Sequence, residues 1–157
     1  MIFKNFSDFQ KKVVILPHRV MALDVGTKTV GLAVSDSRCV IASPLKTVFR
    51  KGKLNEATEI LKVVKDYTIQ SVLMGYPLHM HGDEGERCAY VQVYAEQLVE
   101  KISLPILLWD ERMSTLSAER ILLETDMSRT KRKEHIDAIA ASVILQSFLD
   151  FLHNHLR

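Results

Sequence analysis

The sequence predicts an α/β domain on a mixed sheet, opening as a three-strand antiparallel meander and continuing as alternating helices and strands, with helices on both faces. Three observations carry this prediction. Val20 to Asp24 and Val30 to Val34 are apolar runs separated by Gly26-Thr27-Lys28-Thr29, which reads as a strand, a tight turn and a second strand. A third short strand follows Pro44, over Leu45 to Phe49, where Val48 and Phe49 favour extended structure. From there the spacing changes: Leu54, Ala57, Ile60, Leu61 and Val64 recur at helical intervals, and Ser71 to Met74 then reads as a buried strand ended by Gly75 and Pro77.

The remaining elements follow in the same way. Ile2, Phe3, Phe6, Phe9 and Val13 are spaced more like a helix than a strand, so residues 1–18 form an N-terminal extension, either a docking helix or a tail. A loop from His79 to Gly85 leads into a helix carrying Ala89, Val93, Ala95, Leu98 and Val99. Pro105 precedes a short strand, Ile106 to Trp109, which stops at Asp110 and Glu111. A helix over Leu116 to Glu124, a basic loop from Ser128 to Lys133 and a long helix from about Glu134 to Leu152 complete a single domain over residues 19–157.

With 157 residues, 47% of them hydrophobic, the chain can bury a core without disulfide or metal staples. Cys39 and Cys88 form no CxxC pair, which removes a zinc ribbon and a disulfide framework and fits reduced thiols in a cytoplasm. No membrane span or signal peptide is expected. The 21 basic residues exceed the 19 acidic ones by only two, so any polyanion partner must be recognised by local clustering rather than by net charge.

Three positions point to chemistry. Asp24 lies where an apolar strand ends, the place where open α/β sheets bind ligands, although an Asp there also suits a local turn. Asp110 and Glu111 repeat that situation at a later strand end, where only one of two adjacent acids can face a given site. Asp137 lies in a stretch from Ile136 to Leu145 that is otherwise apolar except for Ser142, and a carboxylate there is costly unless a cation or strong donors meet it. A first-turn cap is the competing role. Such a set suits a hard divalent cation, Mg²⁺ or Mn²⁺, and hydrolytic phosphoryl transfer without a covalent intermediate. Arg129, Lys131, Arg132 and Lys133 gather just before Asp137, and Lys28 and Arg112 extend that patch toward a nucleic-acid backbone. His79 and His81 with Asp83, Glu84 and Glu86 form a weaker candidate for a transition metal. Trp109, Tyr76 and Phe49 read as core or sheet residues rather than base-stacking platforms and receive no role.

The run from Leu23 to Asp36, Leu-Asp-Val-Gly-Thr-Lys-Thr-Val-Gly-Leu-Ala-Val-Ser-Asp, closely resembles the opening of the YqgF family. Gly75-Tyr76-Pro77-Leu78 with the loop from Gly82 to Arg87, then Leu108 to Thr115, and Lys131-Arg132-Lys133 with Asp137 to Ala141 resemble its later signatures, in family order. The chain departs from the family in a longer N-terminal stretch and in His79 and His81, where Asn and Asp are more typical. The resemblance implies a ribonuclease H-like fold and a nuclease that matures the 5′ end of precursor 16S rRNA. It places the family's acids on Asp24, the Asp110-Glu111 pair and Asp137. Two other enzyme readings stand beside it: a Holliday-junction resolvase acting on branched DNA, and an actin-like ATPase, which a single domain has little room to form. A ribosome-assembly factor that binds RNA without cutting it is the alternative outside enzymes.

Overall fold

Along β2 (Arg19–Val25) successive side chains fall on opposite faces, and both faces are apolar. Met21, Leu23 and Val25 enter one hydrophobic cluster, while Val20 and Ala22 enter a second. A strand buried on both sides belongs in the middle of a sheet with a layer on each face. The computed structural model, which describes residues 1–52, 55–113 and 129–156, has this arrangement.

β3 (Thr29–Ser35) and β4 (Ala42–Phe49) continue from β2 as an antiparallel meander. β5 (Ile69–Tyr76) pairs in parallel on the other side of β2, β6 (Ile106–Asp110) in parallel with β5, and β1 (Ile2–Phe3) in parallel with β6. The order is β1-β6-β5-β2-β3-β4. One face carries α2 (Ala57–Asp66) and α3 (Glu86–Ile102), packed through Ile60, Val63, Val91, Ala95 and Leu98. The other carries α1 (Phe6–Lys12) and the long α4 (Arg129–His155), packed through Phe9, Ala141, Leu145, Phe148 and Leu152. The mixed sheet with helices on both faces is therefore as the sequence predicts.

The differences have physical causes. β4 begins at Ala42 rather than after Pro44; as an edge strand it can hold a proline, whose missing N–H would break a central ladder. The first residues form a two-residue strand as well as a docked helix, and Phe3, Phe9 and Ile15 are buried in the α4-side cluster. α4 starts at Arg129, so the cationic run read as a loop is helical from that residue onward: Arg and Lys are good helix formers, and charge alone stops no helix. The helix expected over Leu116 to Glu124, together with Ser128, lies outside the described residues. His135–His155 within α4 is long and apolar enough to cross a membrane, a length of apolar helix the sequence reading did not expect, but 56% of that window is buried inside the molecule, as in the core helix of a globular domain.

How closely α4 approaches the sheet is set by small residues. Ala22, Gly31 and Ala33 line the face beneath it, and a Cβ on Gly31 would lie 1.9 Å from the backbone oxygen of Asp137. Helix backbone thus occupies the space a side chain would need. Gly31→Ala should destabilise the protein by about 1–3 kcal/mol or more, because a rigid helix rather than a flexible side-chain tip must move. Urea denaturation followed by circular dichroism measures this, and a midpoint equal to wild type would contradict the close approach.

Candidate active site

Asp24 projects from β2 on the α4 face, directly opposite Gly31 of β3. On its other side runs β5, whose Gly75 lies one step beyond the Leu23–Met74 pair. A Cβ on Gly75 would come within 2.3 Å of Glu111 Oε1, so the Glu111 carboxylate fills the space this glycine leaves. Asp24 therefore has a glycine on each neighbouring strand. One admits the backbone of α4 at Asp137, and the other admits the side chain of Glu111.

This crowding is visible in the acid–base properties. Burial, with the negative charge of Asp137 adding to it and Arg87 opposing it, pushes the Asp24 carboxyl up to about 6. Burial and the charge of Asp24 push Glu111 up to about 7, again against Arg87, with Asp110 contributing a smaller rise. Asp137 is half-buried and accepts a hydrogen bond from Thr29 Oγ1 at 2.5 Å, which fixes one of its oxygens and ties α4 to the start of β3.

The adjacent acid is used differently. Asp110 receives hydrogen bonds from the backbone N–H of Arg112 at 3.0 Å and from its guanidinium, the shortest 2.6 Å from Nη2 to Oδ2. Burial disfavours the charge on Asp110, but these bonds outweigh it and hold the carboxyl below its ordinary range. Of the two strand-end acids, Glu111 thus joins Asp24 and Asp137, whereas Asp110 closes a local clamp. Arg112 also donates to the Met80 carbonyl at 3.3 Å, so its charge is engaged with the loop after β5.

Lys28 is exposed in the turn between β2 and β3. The backbone places Arg129, Lys131, Arg132 and Lys133 in the first turns of α4, with Lys133 one turn before Asp137, and the first turn contains no acid. His79 and His81 stack at 5.6 Å, and His81 faces Asp83 at 2.9 Å. Among the described residues no three His, Cys, Asp or Glu side chains form a ready-made metal cage, neither in this loop nor at Asp24, Glu111 and Asp137, so an ion at either place would have to draw its ligands together.

Two residues without an assigned role in the sequence reading act here. Arg87, exposed in the first turn of α3, is, among the described residues, a cation whose field reaches both Asp24 and Glu111; its place in the loop signature after β5 was the available signal. Thr29 is the donor to Asp137, and no local pattern could have linked residues 108 positions apart. The turn between β2 and β3 is braced from the opposite face of the sheet. Buried Glu56, 2% exposed, pairs with Arg50 at 3.2 Å and accepts from Tyr94 Oη at 2.9 Å, while Arg50 Nη1 donates to the Gly26 carbonyl at 2.9 Å.

A family model described as RuvX, Holliday junction resolvase, matches residues 18–151. The chain belongs to the RuvX family. This is the family whose signatures the sequence carries under the name YqgF. A RuvX-family relative from Desulfitobacterium hafniense, named as a candidate pre-16S rRNA nuclease, is 44% identical over 134 residues, covering 85% of this chain and 93% of its own length. One from a Ruegeria species with the same name is 43% identical and covers 100% of this chain and 99% of its own. The fold is similar to that of Thermus thermophilus RuvC in complex with a Holliday junction substrate, with a TM-score of 0.54 at 14% identity over 85% of this chain and 96% of that one. It is also similar to the fowlpox virus resolvase in a junction DNA complex, with a TM-score of 0.51 at 12% identity over 88% and 99%. The ribonuclease H-like fold is thereby established for this RuvX-family chain.

Two predictions test the geometry. Unfolded carboxyls titrate near 4, whereas Asp24 and Glu111 titrate near 6 and 7 in the folded chain, so the folded state holds the extra protons. The contribution of these two carboxyls to the stability of the metal-free protein is therefore fully present below their unfolded values near 4 and is lost as pH rises through 6 and 7. In chelator, the melting temperature of Asp24→Asn minus that of wild type should grow from pH 5 to pH 8, reaching on the order of 5 °C; a difference that does not change with pH would contradict the crowding. Thr29→Val, which removes the donor to Asp137, should raise the Mn²⁺ concentration for half-maximal cleavage about 10–100-fold with the fold intact. Titration of single-turnover rates against Mn²⁺ is the measurement, and an unchanged midpoint would mean that Thr29 does not position Asp137.

Proposed function

We propose that this chain is a metal-dependent nuclease that hydrolyses phosphodiester bonds in precursor 16S rRNA and acts in the cytoplasm. The observation that carries the reading is the convergence of Asp24, Glu111 and Asp137 on the α4 face, around the two glycines that make room for them. The names of the RuvX-family relatives support the substrate class.

The donor set fits a hard divalent cation. It offers carboxylate oxygen, two of its acids are pushed toward neutrality by burial and by neighbouring negative charge, and such ions keep several waters and need few protein ligands. Asp24, Glu111 and Asp137 would hold Mg²⁺ or Mn²⁺. An ion bound there supplies charge for the phosphoryl oxygens and lowers the pKa of water. The chain's own groups do the rest. Thr29 orients the Asp137 carboxylate, and Arg87 lies where its charge can meet a substrate phosphate. The cations at the start of α4, added to the positive end of its helix dipole and unopposed by any first-turn acid, draw the backbone toward Asp137.

The family's description favours a second reading, resolution of Holliday junctions, which requires a dimer whose two sites match the junction's symmetry. Incubation of the protein with precursor 16S RNA and with a synthetic four-way DNA junction, each in Mg²⁺, Mn²⁺ or chelator, separates the two. RNA cleavage in either metal and none in chelator is the expected outcome. Full cleavage in chelator would remove the metal site, and cleavage of the junction alone would give the resolvase reading the better claim.

A further inference from the structure

Phe49, at the end of β4, is 68% exposed. A single apolar residue on a surface is ordinary, so its position decides the matter. Its neighbour Val48 is buried in the cluster under α2 and α3, so Phe49 projects on the α4 face. There it is paired directly with Thr29, the residue whose hydroxyl lies 2.5 Å from Asp137 Oδ2. Paired residues on antiparallel strands have Cβ atoms about 5 Å apart, so one side chain separates the ring from the acidic cluster. Exposed Lys28 precedes Thr29 and exposed Lys51 lies two residues beyond Phe49 in the chain, and β4 is the outer strand of the sheet, where among the described residues no further strand covers it. Tyr90, an exposed ring on α3, is by contrast hydrogen-bonded to Arg50.

Resting on the nuclease reading above, we propose that Phe49 is a stacking platform for an unpaired nucleobase next to the phosphate held at the Asp24 cluster. An exposed phenyl face beside cations has the chemistry of single-strand binding: the lysines meet the backbone, the ring meets a base, and stacking is tolerant of sequence. A base inside a duplex is already stacked on both sides and cannot use the ring. The platform therefore selects single-stranded or splayed nucleotides at the cleavage site.

The test compares wild type, Phe49→Ala and Phe49→Trp. Each is titrated in chelator with a single-stranded RNA carrying 2-aminopurine at successive positions, and with the same RNA made fully duplex. Single-turnover cleavage of both in Mn²⁺ accompanies the titrations. Phe49→Ala should bind the single strand about tenfold more weakly and lose the fluorescence quenching that wild type gives at one position. Phe49→Trp should retain both, and duplex binding should be the same in all three. Melting temperatures should be unchanged, since the ring is exposed. Equal quenching and affinity in Phe49→Ala, or an equal loss on single strand and duplex, would overturn the platform while wild-type cleavage left the nuclease reading standing. Intact RNA binding by Phe49→Ala, with lost binding to particles of precursor RNA and ribosomal proteins, would assign the ring to a protein partner and also overturn it. Failure of wild type to bind or cut any of these substrates would bring down both readings.

Discussion

The arrangement of this molecule depends on packing negative charge beside a central strand. Asp24 sits in the middle of the sheet, and the two neighbouring positions are glycines, Gly31 and Gly75. A larger residue at the first would hold α4 away, and one at the second would displace the Glu111 carboxylate. With both positions open, acids from β2, from the segment after β6 and from α4 crowd together in a partly buried space where ionisation is disfavoured. The fold tolerates this local repulsion because the two clusters around it are large and well buried.

Support for the site comes from groups that carry no chemistry of their own. On the side away from α4, the pair of Arg50 and Glu56 with Tyr94 holds the Gly26 carbonyl and so fixes the turn that ends β2. At the far end of β6, the clamp between Asp110 and Arg112 reaches the Met80 carbonyl and fixes the segment that carries Glu111. Trp109, next in line on β6, donates from its indole to Ser147 on α4 at 2.9 Å and packs against Phe148 and Phe151. These contacts hold the three acid-bearing segments in place through backbone and side chain.

The first residues take part in the same framework. Ile2–Phe3 extends the sheet beyond β6, Phe6 packs on Phe148 and Phe151, and Lys4 reaches Glu84 in the loop before α3 at 3.0 Å. That loop leads to Arg87, the cation that faces the acidic cluster. A segment that carries no site residue is thus joined to the active-site region through the sheet edge, the aromatic cluster and one exposed ion pair.

The sequence by itself determined the layer architecture, because strand alternation and helical spacing are local patterns enforced by burial, and it marked Asp24 and Asp137 through acids placed against apolar runs. It left Asp110 and Glu111 unresolved, since adjacent strand-end acids look alike until neighbouring strands are in register. Tertiary structure places them differently: Gly75 leaves space for the Glu111 carboxylate, while Arg112 binds Asp110. The short β1 and the early start of α4 were also settled only by the fold, the first because a two-residue strand exists only where an edge accepts it, the second because a cationic run reads as loop or helix equally well. Phe49 is the sharpest case. Its residue type suggested a place in the sheet, and it has one, but whether the ring is covered depends on what packs over an outer strand, and among the described residues nothing hides it. Local sequence specifies which way a side chain alternates; only the assembled layers decide what it meets.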